Sequence, residues 1–288
     1  SFSQRNSVIK SKQKINKSNK EIDFLQQQFW AKYERLNEKC EKSFSNNKYN
    51  ETIKIAKRVL LLEKAIGYSL EFQNHLSIPH LNIGKSYVSL GRFLRGLVHL
   101  NKAIKYDDDF KNFFQVNYYL GLVYQKYPQY GSAIKMFKSI VEEKPKEAIE
   151  LDWFNISLYN LMLSLVEEKN YFEAQIYLNI ALKNNELDDF YLLQFNHYMG
   201  YVKYQLGCIE ESLKFYNRAL QYTDDLKTVF RIRHALSTIK IIQLEYYSAL
   251  YQLIKVYPAF FDKGLRPKFI KQFVKILKHI VPFFSTIY

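Results

Sequence analysis

Apolar residues recur every three or four positions through most of this chain, which is the spacing that places side chains on one side of an α-helix. Gly and Pro, which interrupt helices, are scarce at 9 and 6 of 288 residues. Tyr and Phe are frequent at 24 and 22. This pattern favours long helices joined by short turns and disfavours a turn-rich β-sandwich or barrel. The prediction is an all-α fold.

The helical pattern also repeats along the chain. The first helix of each copy has one position that usually carries a small residue. Gly84, Gly121, Met162 and Gly200 occupy it in successive copies, at intervals of 37, 41 and 38 residues. Aromatic and small residues of a second helix follow each time, and weaker copies lie on either side, around 40–59 and 236–256. Self-similarity at this period predicts a solenoid of about six stacked helix pairs.

Gly121 lies in an apolar run that otherwise predicts helix, where glycine costs about 1 kcal/mol relative to alanine. We expect Gly121, and Ala133 in the second helix, to let the two backbones approach closely. A conformational hinge is the alternative. Close packing predicts that Gly121→Leu is destabilising by roughly 1–3 kcal/mol or more, while Gly121→Ala is mild.

These positions resemble the tetratricopeptide repeat (TPR) family over roughly residues 33–260, most clearly at 114–145, where the matching residues are Gly121, Tyr124, Ala133, Phe137 and Pro145. The family's signature tryptophan is replaced by Asn117 and Leu158. The longer repeats are also similar to those of the TPR domains of Gram-positive peptide-pheromone receptors. The resemblance implies a right-handed superhelical solenoid that is not an enzyme and holds an extended peptide or protein segment in its concave groove.

The resemblance also implies which first-helix residues face that groove, at fixed offsets around the small residue. The predicted peptide-binding residues are Asn82, Lys85, Gln115, Tyr119, Asn160, Gln194, His197, Tyr201, Arg231 and His234. The same offsets also place in the groove Tyr118, Gln125, Tyr159, Tyr198, Tyr204 and Thr238. Amides donate to and accept from a peptide backbone, and tyrosines add contact area. The alternative is that some of these tyrosines pack inside the solenoid and do not contact a ligand. Asn82 and Asn160 share one repeat position, so we expect both to contact the ligand.

The net charge of +14 is concentrated at the two ends. Residues 1–20 and 263–288 each contain six basic residues and no acidic residue. The central segment therefore contains 30 of the 42 basic residues and all 28 acidic residues. We predict a basic mobile tail or linker at 1–20, a repeat domain at 21–262 and an amphipathic capping helix at 263–288. Alternatively, the basic ends contact nucleic acid, or the last helix contacts a membrane surface or a partner.

Motifs for catalysis or cofactor binding are missing from the sequence. The six histidines form no ligand motif, and no phosphate-binding glycine loop or nucleophile elbow occurs. The acids at 106–110 and 222–226 are expected to cap the helices that follow. Cys40 and Cys208 provide neither a disulfide framework nor zinc-ligand spacing, which favours the cytoplasm.

The sequence therefore predicts a non-catalytic, cofactor-free peptide- or protein-binding module, one form of which is a peptide-sensing regulator. The alternative from another class is a static scaffold that assembles a protein complex.

Overall fold

A computed structural model describes residues 27–66, 74–107, 113–143, 148–184 and 187–280, and these ranges contain helices and no strand. Along the chain the helices follow one another as six helix–loop–helix pairs and one last helix, in the predicted order. In chain order they are α1 (27–45), α2 (Tyr49–Ile66), α3 (Ser77–Ser89), α4 (Phe93–Lys105), α5 (Phe113–Lys126), α6 (Tyr130–Glu142), α7 (Ala148–Glu167), α8 (Tyr171–Ala181), α9 (Asp189–Gln205), α10 (Ile209–Ala219), α11 (Leu226–Ile242), α12 (Tyr246–Ile254) and α13 (Arg266–Ile280).

The chain divides into two compact units, and the boundary lies within α6, after Met136. The first unit contains α1 to α5 and the start of α6. In it α3 packs on α2, α4 and α5. The second unit contains the end of α6 and α7 to α13. Its helices α7 and α8, α9 and α10, and α11 and α12 pack as pairs, and α9 also contacts α7 and α8.

Each helix pair is joined by a loop of three residues with one shared geometry. The N–H of the third loop residue donates to the carbonyl five residues earlier, at 2.8–2.9 Å in all six loops. This is the 6→1 bond of a Schellman helix end, and it requires a left-handed residue just before the donor. Gly91 and Gly207 supply that conformation, with φ of +71° and +77°. Leu244 adopts it with φ of +62°, where an L-residue is strained.

Two glycines of the first unit, Gly84 and Gly96, lie where α3 and α4 touch. A Cβ added to Gly84 would lie 2.8 Å from Leu100 Cγ and 3.2 Å from the Leu100 backbone nitrogen. A Cβ on Gly96 would lie 2.7 Å from Val88 Cγ2 and 3.1 Å from the Gly84 carbonyl oxygen. Each helix therefore contributes a glycine to one close contact, as the packing interpretation predicts.

The second unit repeats this contact between α9 and α10. A Cβ on Gly200 would lie 2.9 Å from Tyr216 Cγ, and the buried Ser212 hydroxyl donates to the Gly200 carbonyl at 2.7 Å. The close-packing prediction is therefore confirmed at Gly84 and Gly200. Gly121 is buried in α5, and the effect of substituting it stays a prediction.

The apolar side of α13 packs against the last helix pair. Phe269 and Ile276 are buried in a cluster with residues of α11 and α12. Buried Gln272 donates to Thr238 Oγ1 of α11 at 3.1 Å. Ile270 is 42% exposed, because the helix turns it away from the contact centred on Phe269 and Ile276.

The capping prediction for the acids at 222–226 is confirmed. Asp225 caps α11, with its carboxylate accepting from the Thr228 N–H at 2.9 Å. Pro79 lies in the first turn of α3, where proline is tolerated. The predicted tail at 1–20 and Pro145, one of the residues that match the repeat family, lie outside the described residues.

Candidate functional site

Three successive first helices of the second unit bring polar and aromatic side chains together. Tyr159 of α7 and Tyr198 of α9 meet edge to face with ring centroids 6.4 Å apart, and each phenol affects the pKa of the other. Arg231 of α11 is exposed and close enough for its charge to act on both tyrosines. We call Tyr159, His197, Tyr198 and Arg231 the tyrosine–arginine cluster.

Burial controls the proton chemistry of this cluster. It raises the pKa of Tyr198 to about 12, with the neighbouring Tyr159 adding to the shift and Arg231 opposing it. It also raises the pKa of Tyr159. Both phenols are therefore neutral hydrogen-bonding groups near neutral pH, and Arg231 supplies the positive charge of the cluster.

His197 adds a buried polar atom to the cluster. Its ring packs against Tyr198 and Tyr216, with centroids 5.2 and 5.7 Å away. Burial, and then the charge of Arg231, lowers the pKa of His197 to about 4, so the imidazole is neutral near pH 7. Its Nδ1 is buried without a hydrogen-bond partner among the described residues. A buried polar atom of this kind calls for a bonding partner.

Four of the predicted peptide-binding residues are buried. Asn82 is 0% exposed, and neither polar atom of its amide has a partner among the described residues. Buried Lys85 donates to both carboxylate oxygens of Glu41 at 2.9 Å. Tyr119 is buried, and this raises its pKa. The buried Asn160 amide donates to the Ile156 carbonyl of its own helix at 2.8 Å. We therefore leave these four out of the proposed site.

The other predicted residues are at least partly accessible. Gln115, Gln194, His197, Tyr201 and His234 are half-buried, and Arg231 is exposed. Tyr201 turns toward the second helix of the preceding pair, where its ring centroid lies 6.1 Å from that of Tyr171. It therefore belongs to the tyrosines that pack within the repeats, which was the alternative considered for them.

One cavity in the first unit has an acidic wall. It measures about 670 Å³, and its lining includes Gln115 together with Trp30, Tyr33, Glu34, Asn37, Glu38, Glu41, His75, Ile78 and Leu81. The three glutamates lie at i, i+4 and i+7 on α1, so their shared face was readable from the sequence. Only Gln115 of this lining was among the predicted binding residues, because the groove positions were counted from the pair that contains Gly84 onward and α1 precedes that pair.

A second cavity, in the second unit, is basic. We call it the α11–α13 cleft. It measures about 620 Å³, and α11, α13 and the loop before α13 line it with Lys227, Thr228, Phe230, Arg231, His234, Leu265, Lys268, Lys271, Gln272 and Lys275. Burial, followed by the charges of Lys268 and Lys275, lowers the pKa of His234. Arg231 belongs to both the cleft and the tyrosine–arginine cluster.

Within the described ranges, no group of three or more His, Cys, Asp or Glu side chains could hold a metal ion. None of the helices in those ranges combines the length and the apolar character needed to cross a membrane.

No family model and no curated protein matches the sequence. By structure, the chain is similar to PilF of Pseudomonas aeruginosa, with a TM-score of 0.59 and 10% identity over 85% of this chain and 99% of that one. It is similar to MamA of Desulfovibrio magneticus RS-1, with a TM-score of 0.52 and 15% identity over 66% and 94%. It is also similar to a tetratricopeptide repeat protein of Parabacteroides merdae, with a TM-score of 0.50 and 16% identity over 84% and 98%. The chain thus has the tetratricopeptide-repeat fold.

Proposed function

We propose that the chain is a non-catalytic protein-interaction module that binds an extended segment of a partner protein on the first helices of its second unit. The tyrosine–arginine cluster is the observation that carries this proposal. It combines aromatic faces, hydroxyls and one exposed guanidinium on neighbouring first helices, and such groups bind peptide backbones and side chains. A peptide-sensing regulator in the cytoplasm is the narrower form of the proposal.

Affinity selection on the full chain tests this function. A phage-displayed library of random peptides, about twelve residues long, would be selected on the immobilised protein. Dissociation constants of the recovered peptides would then be measured by fluorescence anisotropy. Since hydrogen bonds to charged groups contribute about 1.5–3 kcal/mol, we expect Arg231→Ala to weaken binding roughly tenfold or more. We expect Tyr198→Phe, which removes one hydroxyl, to weaken it about fivefold.

Matched variants in the same unit provide the controls. Arg218 is an exposed arginine of α10, and Tyr247 is a well-exposed tyrosine of α12. Arg218→Ala and Tyr247→Phe should leave the affinity within about twofold, because exposed surface changes are usually small in effect. Failure to recover any specific peptide, or recovered peptides that are insensitive to both cluster variants, would reject the proposal.

A scaffold is the second candidate function, and exposed apolar residues on second helices favour it. Phe172, Ile176 and Ile180 recur every four residues along α8 and are 76%, 57% and 44% exposed. Tyr247, Tyr251 and Ile254 form a similar exposed stripe on α12. Contiguous exposed apolar surface of this kind marks interaction sites. If selected partners lose affinity with Phe172→Ser but not with Arg231→Ala, the scaffold replaces the peptide-binding proposal.

A further inference from the structure

We infer that the α11–α13 cleft binds an acidic stretch, a short run of Asp and Glu side chains, in the partner segment. This inference rests on the proposed function and specifies the chemistry of the ligand. The two walls carry cations at helical spacing. Lys227 and Arg231 are four residues apart on α11, and Lys268, Lys271 and Lys275 follow at three and four residues on α13. Such spacings place each set on one side of its helix.

The base of the cleft holds the two walls at a fixed separation. Phe230 is buried in the cluster that also contains Phe269 and Ile276 of α13. Gln272 is 5% exposed and donates to Thr238 Oγ1 of α11 at 3.1 Å. Packing and this hydrogen bond therefore fix α13 against α11. The basic side chains extend from a preformed site, which lowers the ordering cost of binding.

The positive charge in the cleft is not balanced locally. All five basic side chains are exposed, and among the described residues none of them forms an ion pair. The carboxylate of Asp225, which caps α11, is near Lys227 and Arg231, and its single negative charge offsets at most one of the five cations. Cations that share one cleft repel one another within the screening distance of about 10 Å, and an anionic ligand relieves that repulsion.

The surroundings of the cleft favour a protein segment over other anions. Arg231 connects the cleft to the tyrosine–arginine cluster, so one extended chain can contact both. A membrane surface would need the apolar side of α13, yet Phe269 and Ile276 of that side are buried in the protein core. A cleft of about 620 Å³ with an apolar base at Phe230 suits side chains of an extended segment.

Designed peptides test this inference on the full chain. The probe is a fluorescein-labelled Gly/Ser-rich peptide of about twelve residues that contains four Asp or Glu residues. Its control replaces each acid with Asn or Gln. We expect the acidic peptide to bind at about 50 mM salt, to weaken strongly at about 300 mM salt, and to bind roughly tenfold more tightly than its amide counterpart.

A charge-matched pair of variants localises the binding. The triple variant Lys268→Ala, Lys271→Ala, Lys275→Ala should weaken the acidic peptide about tenfold or more. The control triple Lys183→Ala, Lys214→Ala, Lys255→Ala removes the same charge from exposed sites elsewhere in the second unit and should change affinity less than about twofold. Circular dichroism and thermal unfolding of both variants show whether each remains folded.

The outcomes separate this inference from the proposed function. Equal loss in both triple variants, or no preference for the acidic peptide, would overturn the cleft as its site. In that case, phage-selected peptides that still require Arg231 and Tyr198 leave the proposed function standing. Random-sequence duplex DNA and phosphatidylserine vesicles would be tested in the same way. If either binds more tightly than the acidic peptide and loses binding in the α13 triple variant, the cleft is a nucleic-acid or lipid site instead.

Discussion

Gly84 is the residue where the repeat packing can be tested most directly. In Gly84→Ala, the new Cβ would lie 2.8 Å from Leu100 Cγ, 2.9 Å from Leu100 Cδ2 and 3.2 Å from the Leu100 backbone nitrogen. Leu100 is fully buried, so its side chain has no free space to move into. The backbone contact means that α3 and α4 must separate to admit even one methyl group.

Two opposing effects set the size of the change in stability. Replacing glycine by alanine inside a helix gains up to about 1 kcal/mol. Overpacking a closely packed contact costs about 1–3 kcal/mol. Gly131 in α6 provides a control in the same unit, because a Cβ there meets nothing within 4 Å. We expect Gly84→Ala to be less stable than Gly131→Ala by about 1–3 kcal/mol, because only Gly84→Ala has the packing cost.

Urea unfolding measured by tryptophan fluorescence provides the assay. The chain has two tryptophans, Trp30 in the first unit and Trp153 in the second. In a Trp153→Phe background, Trp30 reports on the unit that contains both glycines. Equal midpoints for Gly84→Ala and Gly131→Ala, or a higher midpoint for Gly84→Ala, would refute the close-packing explanation.

Two further predictions concern a loop and a histidine pair. Leu244 and Gly207 occupy the same left-handed position in the loops that join α11 to α12 and α9 to α10. Leu244→Gly should therefore raise the free energy of unfolding by about 1 kcal/mol, and Gly207→Ala should lower it by a similar amount. Urea midpoints of the two variants measure both changes. The Nδ1 atoms of His80 and His99 lie 3.0 Å apart, and burial lowers the pKa of each to about 4. Their unfolded pKa is near 6.5, so the unfolded state binds protons first, and stability should fall as pH drops from about 6.5 toward 4. Urea midpoints at several pH values should show a smaller fall in the double variant His80→Gln, His99→Gln, and an unchanged fall would contradict this explanation.

The fold could be predicted from the sequence because its repeat depends on local physics. Gly84, Gly96 and Gly200 lie where the two helices of a pair come closest, and a small residue at such a position is visible in the sequence. The helical spacing of apolar residues and the scarcity of Gly and Pro then fix where helices run and where they end. Both signals lie within one repeat, so reading the chain repeat by repeat was sufficient.

The site was harder to predict because its accessibility depends on residues far apart in the chain. Lys85 is paired with Glu41, 44 residues earlier, which removes it from the surface. Asn82 and Asn160 share a repeat position, yet one amide is buried without a partner among the described residues and the other bonds to its own helix. The repeat pattern assigns a helix face to each residue, but it does not show which neighbours cover that face.

The last helix shows how folding and binding requirements can be separated. Packing of α13 requires its apolar side, which Phe269 and Ile276 supply, and one hydrogen bond from Gln272. Nothing in that packing requires lysines at 268, 271 and 275. Like charges three or four residues apart destabilise a helix by a few tenths of a kcal/mol per pair. The lysines therefore carry a folding cost at the wall of a cleft that also contains Arg231, and an acidic ligand in that cleft would offset it.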